Sequence, residues 1–133
     1  MSATAAILAG EEDAVLFGRG KKRARPEAAI QSAIKQRLIY HGIVCVAVPN
    51  EGKRSVIAGR AMKNTGMVQG FPDIVALQSP GRIAFLEVKA AKGRTSPAQD
   101  DCHAMLRRLG HFVSVVRSQD EAVAALREAG FSL

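Results

Sequence analysis

Three side chains in the middle of the chain combine types that seldom sit together in apolar sequence. Asp73 follows Gly70-Phe71-Pro72, and after thirteen intervening residues Glu87 and then Lys89 interrupt the run Phe85-Leu86-Glu87-Val88-Lys89. Carboxylates seldom enter such segments without a partner. On an extended strand Glu87 and Lys89 share one face, two residues apart, while Leu86 and Val88 point to the other. A hairpin that brings Asp73 across from Glu87 would set two carboxylates face to face. Their repulsion is relieved by a hard divalent cation, which keeps both ionised at neutral pH. Oxygen donors, the lack of a plausible His or Cys cluster and a basic surround suited to phosphate favour magnesium over zinc, with manganese as a substitute.

The elements that must position these residues are legible around them. Pro26 suits the first turn of a helix, Ile30, Ala33, Ile34 and Leu38 form one apolar stripe, and Gly42 ends it. Ile43 to Val48 is a short β-branched run closed by Pro49-Asn50, which predicts a strand buried on both faces. Asn50 to Gly70 shows little periodicity and reads as an extended loop, functional or mobile. Asp73 to Leu77 and Arg82 to Lys89 are strand-like, and Gln78-Ser79-Pro80-Gly81 between them is turn chemistry, so a β-hairpin is expected. Ser96-Pro97-Ala98-Gln99 combines an N-cap serine, a proline at the first helical position and a capping-box glutamine, opening a helix to Leu109 that Gly110 stops. Phe112 to Val116 is a further strand. Ser118-Gln119-Asp120-Glu121 is a second capping box, opening a last helix with Val123, Leu126 and Ala129 near one face. The order is αβββαβα, an α/β domain over residues 26–133 with a mixed sheet flanked by helices. Residues 1–25 lack sustained periodicity and end in the basic cluster Gly18 to Arg25, which reads as a flexible N-terminal arm.

Pro72-Asp73 and, after thirteen intervening residues, Glu87-Val88-Lys89 resemble the PD-(D/E)xK nuclease signature. Further matches are Glu27 with Gln31, Pro49-Asn50-Glu51-Gly52, Gly66 and Gly70 before Phe71-Pro72-Asp73, and Ser96 with Gln99. These resemble the VRR-NUC branch of that superfamily, over roughly residues 26–117, and are most similar to its small stand-alone phage and bacterial members. The resemblance implies a restriction-endonuclease-like core and divalent-metal-dependent cleavage of DNA, often branched. It also implies roles: Asp73 and Glu87 as metal ligands, the backbone carbonyl of Val88 as a third, and Lys89 to position or activate the attacking water. Glu27 would support a metal or its water, and Gln99 would orient Lys89 or a scissile phosphate. A homodimer presenting two sites to a four-way junction is likewise a family expectation.

Simpler readings stand beside these. Asp73 could cap a turn after proline, and Glu87 and Lys89 could form a ladder of solvated strand residues, but at this spacing the three together favour a site. An acid in a first helical turn is favourable for dipole reasons alone, which rivals the role of Glu27. The capping box rivals that of Gln99. His41, His103 and His111 fall at a helix end, on a helix face and at a strand start, without evident partners, and read as structural or surface residues.

Charge supports a polyanionic partner. The 133 residues carry nineteen Lys and Arg against twelve Asp and Glu, a net +7 with pI near 10.0. Residues 50–94 hold eight of the basic residues against three acids, so most of the excess surrounds Asp73 and Glu87. Lys53, Arg54, Arg60, Lys63, Lys92 and Arg94 are the candidate DNA-binding residues. No Trp, one Tyr and five Phe argue against an array of stacking platforms for single strands, and no zinc-finger or helix-turn-helix pattern offers base readout. Recognition should rest on phosphates and shape. A non-catalytic DNA-binding module on the same fold is the alternative, which the intact Asp73, Glu87 and Lys89 disfavour. The two cysteines, Cys45 and Cys102, form no framework and suit a reducing interior, no run is long enough to cross a bilayer and no secretory signal is evident, so a cytoplasmic setting without a membrane partner is expected.

Overall fold

Helix α1 (Pro26–Tyr40) opens on Pro26, whose missing N–H is no loss in a first turn, with Glu27 near the positive end of the helix dipole. Ile34 and Leu38, four residues apart, are fully buried, and Ile30 packs on the same core. Gly42, at φ +74, lets the chain leave the helix, a conformation open to glycine at little cost. The computed structural model describes residues 26–49 and 66–133. The arm expected over residues 1–25 lies outside them, as do Asn50, Glu51 and most of the loop that carries Lys53, Arg54, Arg60 and Lys63.

Strands β1 (Val44–Ala47), β2 (Ile74–Gln78), β3 (Arg82–Val88) and β4 (Phe112–Val116) form one sheet in that order. β1 with β2 and β2 with β3 are antiparallel, and β3 with β4 is parallel. The parallel pair requires a crossover, supplied by α2 (Pro97–Arg108), and α3 (Gln119–Glu128) follows β4. The order αβββαβα is as expected.

One expectation fails at β1. It is not buried on both faces: Cys45 is buried, whereas Val44, Val46 and Ala47 are exposed. β1 is the sheet edge, and α2 packs over β3 and β4 instead, so the run has a helix behind one face only.

The sheet divides two cores. Ile74, Ala76, Ala84, Leu86, Val88 and Val116 face α1 and α3, where they meet Ile34, Leu38, Ala122, Ala125 and Leu126. Phe85 and Val113 face α2 and meet Cys102 and Leu106. Strand alternation thus sends the even residues of β3 into the larger core and its odd residues toward α2.

The two predicted caps differ. At α2 the reciprocal box is complete: Gln99 N–H donates to Ser96 Oγ (3.2 Å) and Ser96 N–H donates to Gln99 Oε1 (2.9 Å). At α3 Glu121 N–H donates to Ser118 Oγ (3.1 Å), but the Glu121 carboxylate accepts from Arg117 N–H, one residue before the expected donor. The N-cap φ is −159° at Ser118 against −81° at Ser96, which rotates the cap N–H relative to the following helix. Both cysteines are free and buried, and burial pushes the Cys45 thiol up to about 11.

Candidate active site

Asp73 is held by main chain from two sides. Its carbonyl accepts from Val48 N–H (2.8 Å), and its Oδ2 accepts from Val88 N–H (2.8 Å). Pairing of Ile74 with Leu86 brings it beside Glu87, so that the two carboxyl groups lie within reach of one another. Lys89, whose N–H donates to Val116 O, places its Nζ 3.7 Å from Glu87 Oε1. Asp73, Glu87 and Lys89 are all buried, Glu87 completely.

Burial is the main cause that raises the Asp73 pKa above the usual carboxylate range. The Val88 N–H, Glu87 and Lys89 act against that shift, and the charge of Glu27 adds to it. Glu27 is therefore within electrostatic reach of the pair, at the start of α1. Its Oε1 lies against Gly93, 3.3 Å from where a Cβ would stand.

Gln99 serves two purposes. While its Oε1 caps α2, its Nε2 donates to Glu87 Oε1 at 2.8 Å. It is directed at the carboxylate, because the capping box fixes the amide with its N–H edge toward β3. This start of α2 rests on Gly70, at φ +79, where a Cβ would stand 2.3 Å from Ala98 O. Only glycine permits so close an approach. Gln69, Gly70, Phe71, Ser96 and Gln99 line a cleft that opens onto Asp73.

The loop after β3 carries Lys92 and Arg94, both exposed on the rim. It is tied down by Arg117, whose guanidinium donates to Ala90 O (2.6 Å) and Gly93 O (2.8 Å). Sequence reading missed Arg117, and nothing in its local pattern marks it. It also read His103 as a residue without partner. The structure buries His103, at 3% exposure, with Nε2 3.5 Å from Glu87 Oε2, and burial together with Arg107 lowers its pKa. The available signal was its spacing: four residues after Gln99, it shares the helix face that covers the sheet. His41 accepts from Arg37 Nε, and His111 packs edge-on against Phe85, so neither joins the site.

Among the described residues, no three His, Cys, Asp or Glu side chains converge on one point. A cation here would thus rest on the Asp73 and Glu87 carboxylates and complete its shell with main-chain or water oxygens. Magnesium is commonly bound in that manner, through one or two carboxylates and several waters. The donor set, two adjacent buried carboxyls, therefore fits a hard divalent ion.

No curated protein sequence matches the chain. A solved structure described as a VRR_NUC domain superposes with a TM-score of 0.58 at 25% identity, covering 78% of this chain and 97% of that one. A second, described as a VRR_NUC domain protein, gives 0.51 at 18% identity over 84% of this chain and 75% of its own, and bears on the fold alone. The sequence profile of the VRR-NUC domain matches residues 24–120, a span that runs from the threshold of α1 to the start of α3 and takes in Asp73, Glu87, Lys89 and Gln99. The chain belongs to the VRR-NUC domain family, a branch of the PD-(D/E)xK nucleases.

Proposed function

We propose that this protein is a divalent-metal-dependent endonuclease that hydrolyses phosphodiester bonds in branched DNA, a Holliday junction or flap, selecting structure over sequence, in replication, recombination or repair. One observation carries the proposal: the Asp73 and Glu87 carboxyls lie in contact at the end of the β2–β3 hairpin, with the Lys89 ammonium beside them.

In this reading Asp73, Glu87 and the Val88 carbonyl hold magnesium, with Glu27 supporting it or its water. The ion, when bound, lowers the pKa of water and neutralises charge on the scissile phosphate. The chain's own residues do the rest. Val88 N–H and Gln99 Nε2 fix the two carboxylates, so both keep their orientation as substrate arrives. Lys89 orients the attacking water and offsets charge that develops on the phosphate in the transition state. Lys92 and Arg94 on the rim, with Lys53, Arg54, Arg60 and Lys63, draw the backbone in without reading bases. Two copies as a homodimer would present two such sites to a four-way junction.

Labelled duplex, flap, splayed-arm and four-way-junction DNA, incubated with magnesium, manganese or calcium, test the reading. Cleavage of branched forms with magnesium or manganese, lost in Asp73→Ala and Lys89→Ala, is expected. Binding without cleavage under every metal would sink the enzyme in favour of a binding module, and cleavage surviving in Asp73→Ala would sink the site. Sedimentation of the same sample reports on the dimer.

A further inference from the structure

His103 presents a buried imidazole in a place where an apolar side chain would serve packing better. Its neighbours on α2, Cys102 and Leu106, fill the small core with Phe85 and Val113. His103 itself is 3% exposed, and its Nε2 has no hydrogen-bond partner among the described residues. A buried polar atom in that condition is a cost that packing alone cannot explain. What the nitrogen faces is Glu87 Oε2, at 3.5 Å. The other oxygen, Oε1, already accepts from Gln99 Nε2 at 2.8 Å. Gln99 and His103 stand four residues apart, hence one above the other on a single helix face. Both oxygens of one carboxylate are thereby addressed from one rigid element.

Resting on the proposed cation site, we infer that His103 is a positioning residue for Glu87, the second jaw of a clamp in which α2 holds Oε1 through Gln99 and Oε2 through His103. A neutral imidazole has one donor nitrogen, so this role needs the proton on Nε2. The clamp restricts rotation of the carboxylate about its own axis from both sides, by the Gln99 hydrogen bond on Oε1 and by the approach of His103 Nε2 to Oε2. The lone pairs left over are then presented to the ion in one orientation, beside Asp73. Groups that orient a metal's ligands in this manner typically change affinity by about 10–100-fold when removed.

The test titrates manganese into the full chain without DNA, by calorimetry, for the wild type, Asp73→Asn, His103→Leu and His103→Gln, with melting in chelator as a control. The wild type should bind and Asp73→Asn should not. His103→Leu, which removes the unpartnered ring nitrogen beside the Cys102 and Leu106 core, should melt at or above the wild type yet bind about tenfold or more weakly. His103→Gln, which restores an N–H donor, should bind within about threefold of the wild type. Nitrogen NMR of the wild-type ring adds a readout that needs no variant, with the Nε2–H tautomer expected. Equal binding by His103→Leu, equal loss in both His103 variants, or an Nδ1–H tautomer would overturn the clamp alone. A wild type that binds no manganese, or binding kept in Asp73→Asn, would overturn the cation site and the clamp with it.

Discussion

Gly70→Ala isolates the contact that sets α2 against the segment carrying Asp73, just before β2. A Cβ at Gly70 would stand 2.3 Å from Ala98 O and 2.6 Å from Gln99 N, whereas ordinary contact begins at 3.4 Å, so the start of α2 must retreat by about 1 Å. The atoms it would strike are main chain, which no rotamer change can move. Forcing alanine to φ +79 adds roughly 1 kcal/mol, and overpacking of this kind typically adds about 1–3 kcal/mol. For a domain near 100 residues, about 4–8 °C per kcal/mol then gives a fall in Tm of roughly 8–32 °C. The same retreat pulls Gln99 Nε2 off Glu87, and a displacement of about 1 Å near reacting groups can cost on the order of 100-fold in rate. Gly110, at the other end of α2, is the matched control. Its φ is +89 and nothing lies within 4 Å of its missing Cβ, so Gly110→Ala carries only the conformational part, about 1 kcal/mol, and should cleave within about threefold of the wild type. Thermal melts and single-turnover cleavage of a labelled four-way junction with magnesium read both quantities. Cleavage by Gly70→Ala at the wild-type rate, with a melt no lower than that of Gly110→Ala, would refute the argument.

Arg117→Ala removes two charge-assisted bonds to the loop after β3 and should cost about 1–3 kcal/mol, with the Gly93 amide, which donates to Ala90 O, exchanging faster by hydrogen-exchange mass spectrometry. The raised pKa of Asp73, due first to burial, means the folded chain keeps that proton to higher pH than the unfolded chain does. Its contribution to stability is therefore complete below about pH 3.8 and is lost as pH rises through the raised value; urea midpoints in chelator should fall across that window for the wild type and stay flatter for Asp73→Asn. With Cys45 pushed up to about 11 and Cys102 also raised by burial, iodoacetamide at pH 8 should leave both thiols unmodified in the folded protein and alkylate both in denaturant, as read by intact mass.

What the sequence disclosed depended on how local the signal was. The β2–β3 hairpin and the α2 start are written in contiguous residues, Gln78 to Gly81 and Ser96 to Gln99, and both formed as expected. The pairing of Asp73 with Glu87 follows from that hairpin, because once the turn sets the register the partner is determined. β1 was misjudged because burial of an apolar run depends on which helices cover the sheet, a tertiary fact. Gln99 was placed in the site, but its true contact depends on how the cap orients the amide. His103 and Arg117 escaped for a common reason: each acts on residues at least 16 positions away, across elements whose docking no local pattern encodes.

The alternation of β3 also bears on which insertions and deletions this protein can survive. Ala84, Leu86 and Val88 enter the large core, while Phe85, Glu87 and Lys89 face α2. Adding or removing one residue within β3 would invert the whole strand, sending Glu87 and Lys89 into the apolar layer beneath α1 and α3. Two buried charges without their partners would then unfold the domain outright, so a molecule whose site is out of phase does not persist as a folded competitor. Length changes in this region are thus tolerated only in the Ser79–Gly81 turn, where the strand phase is untouched. A protein engineer wishing to vary substrate preference should leave β3 alone and graft onto the rim loops.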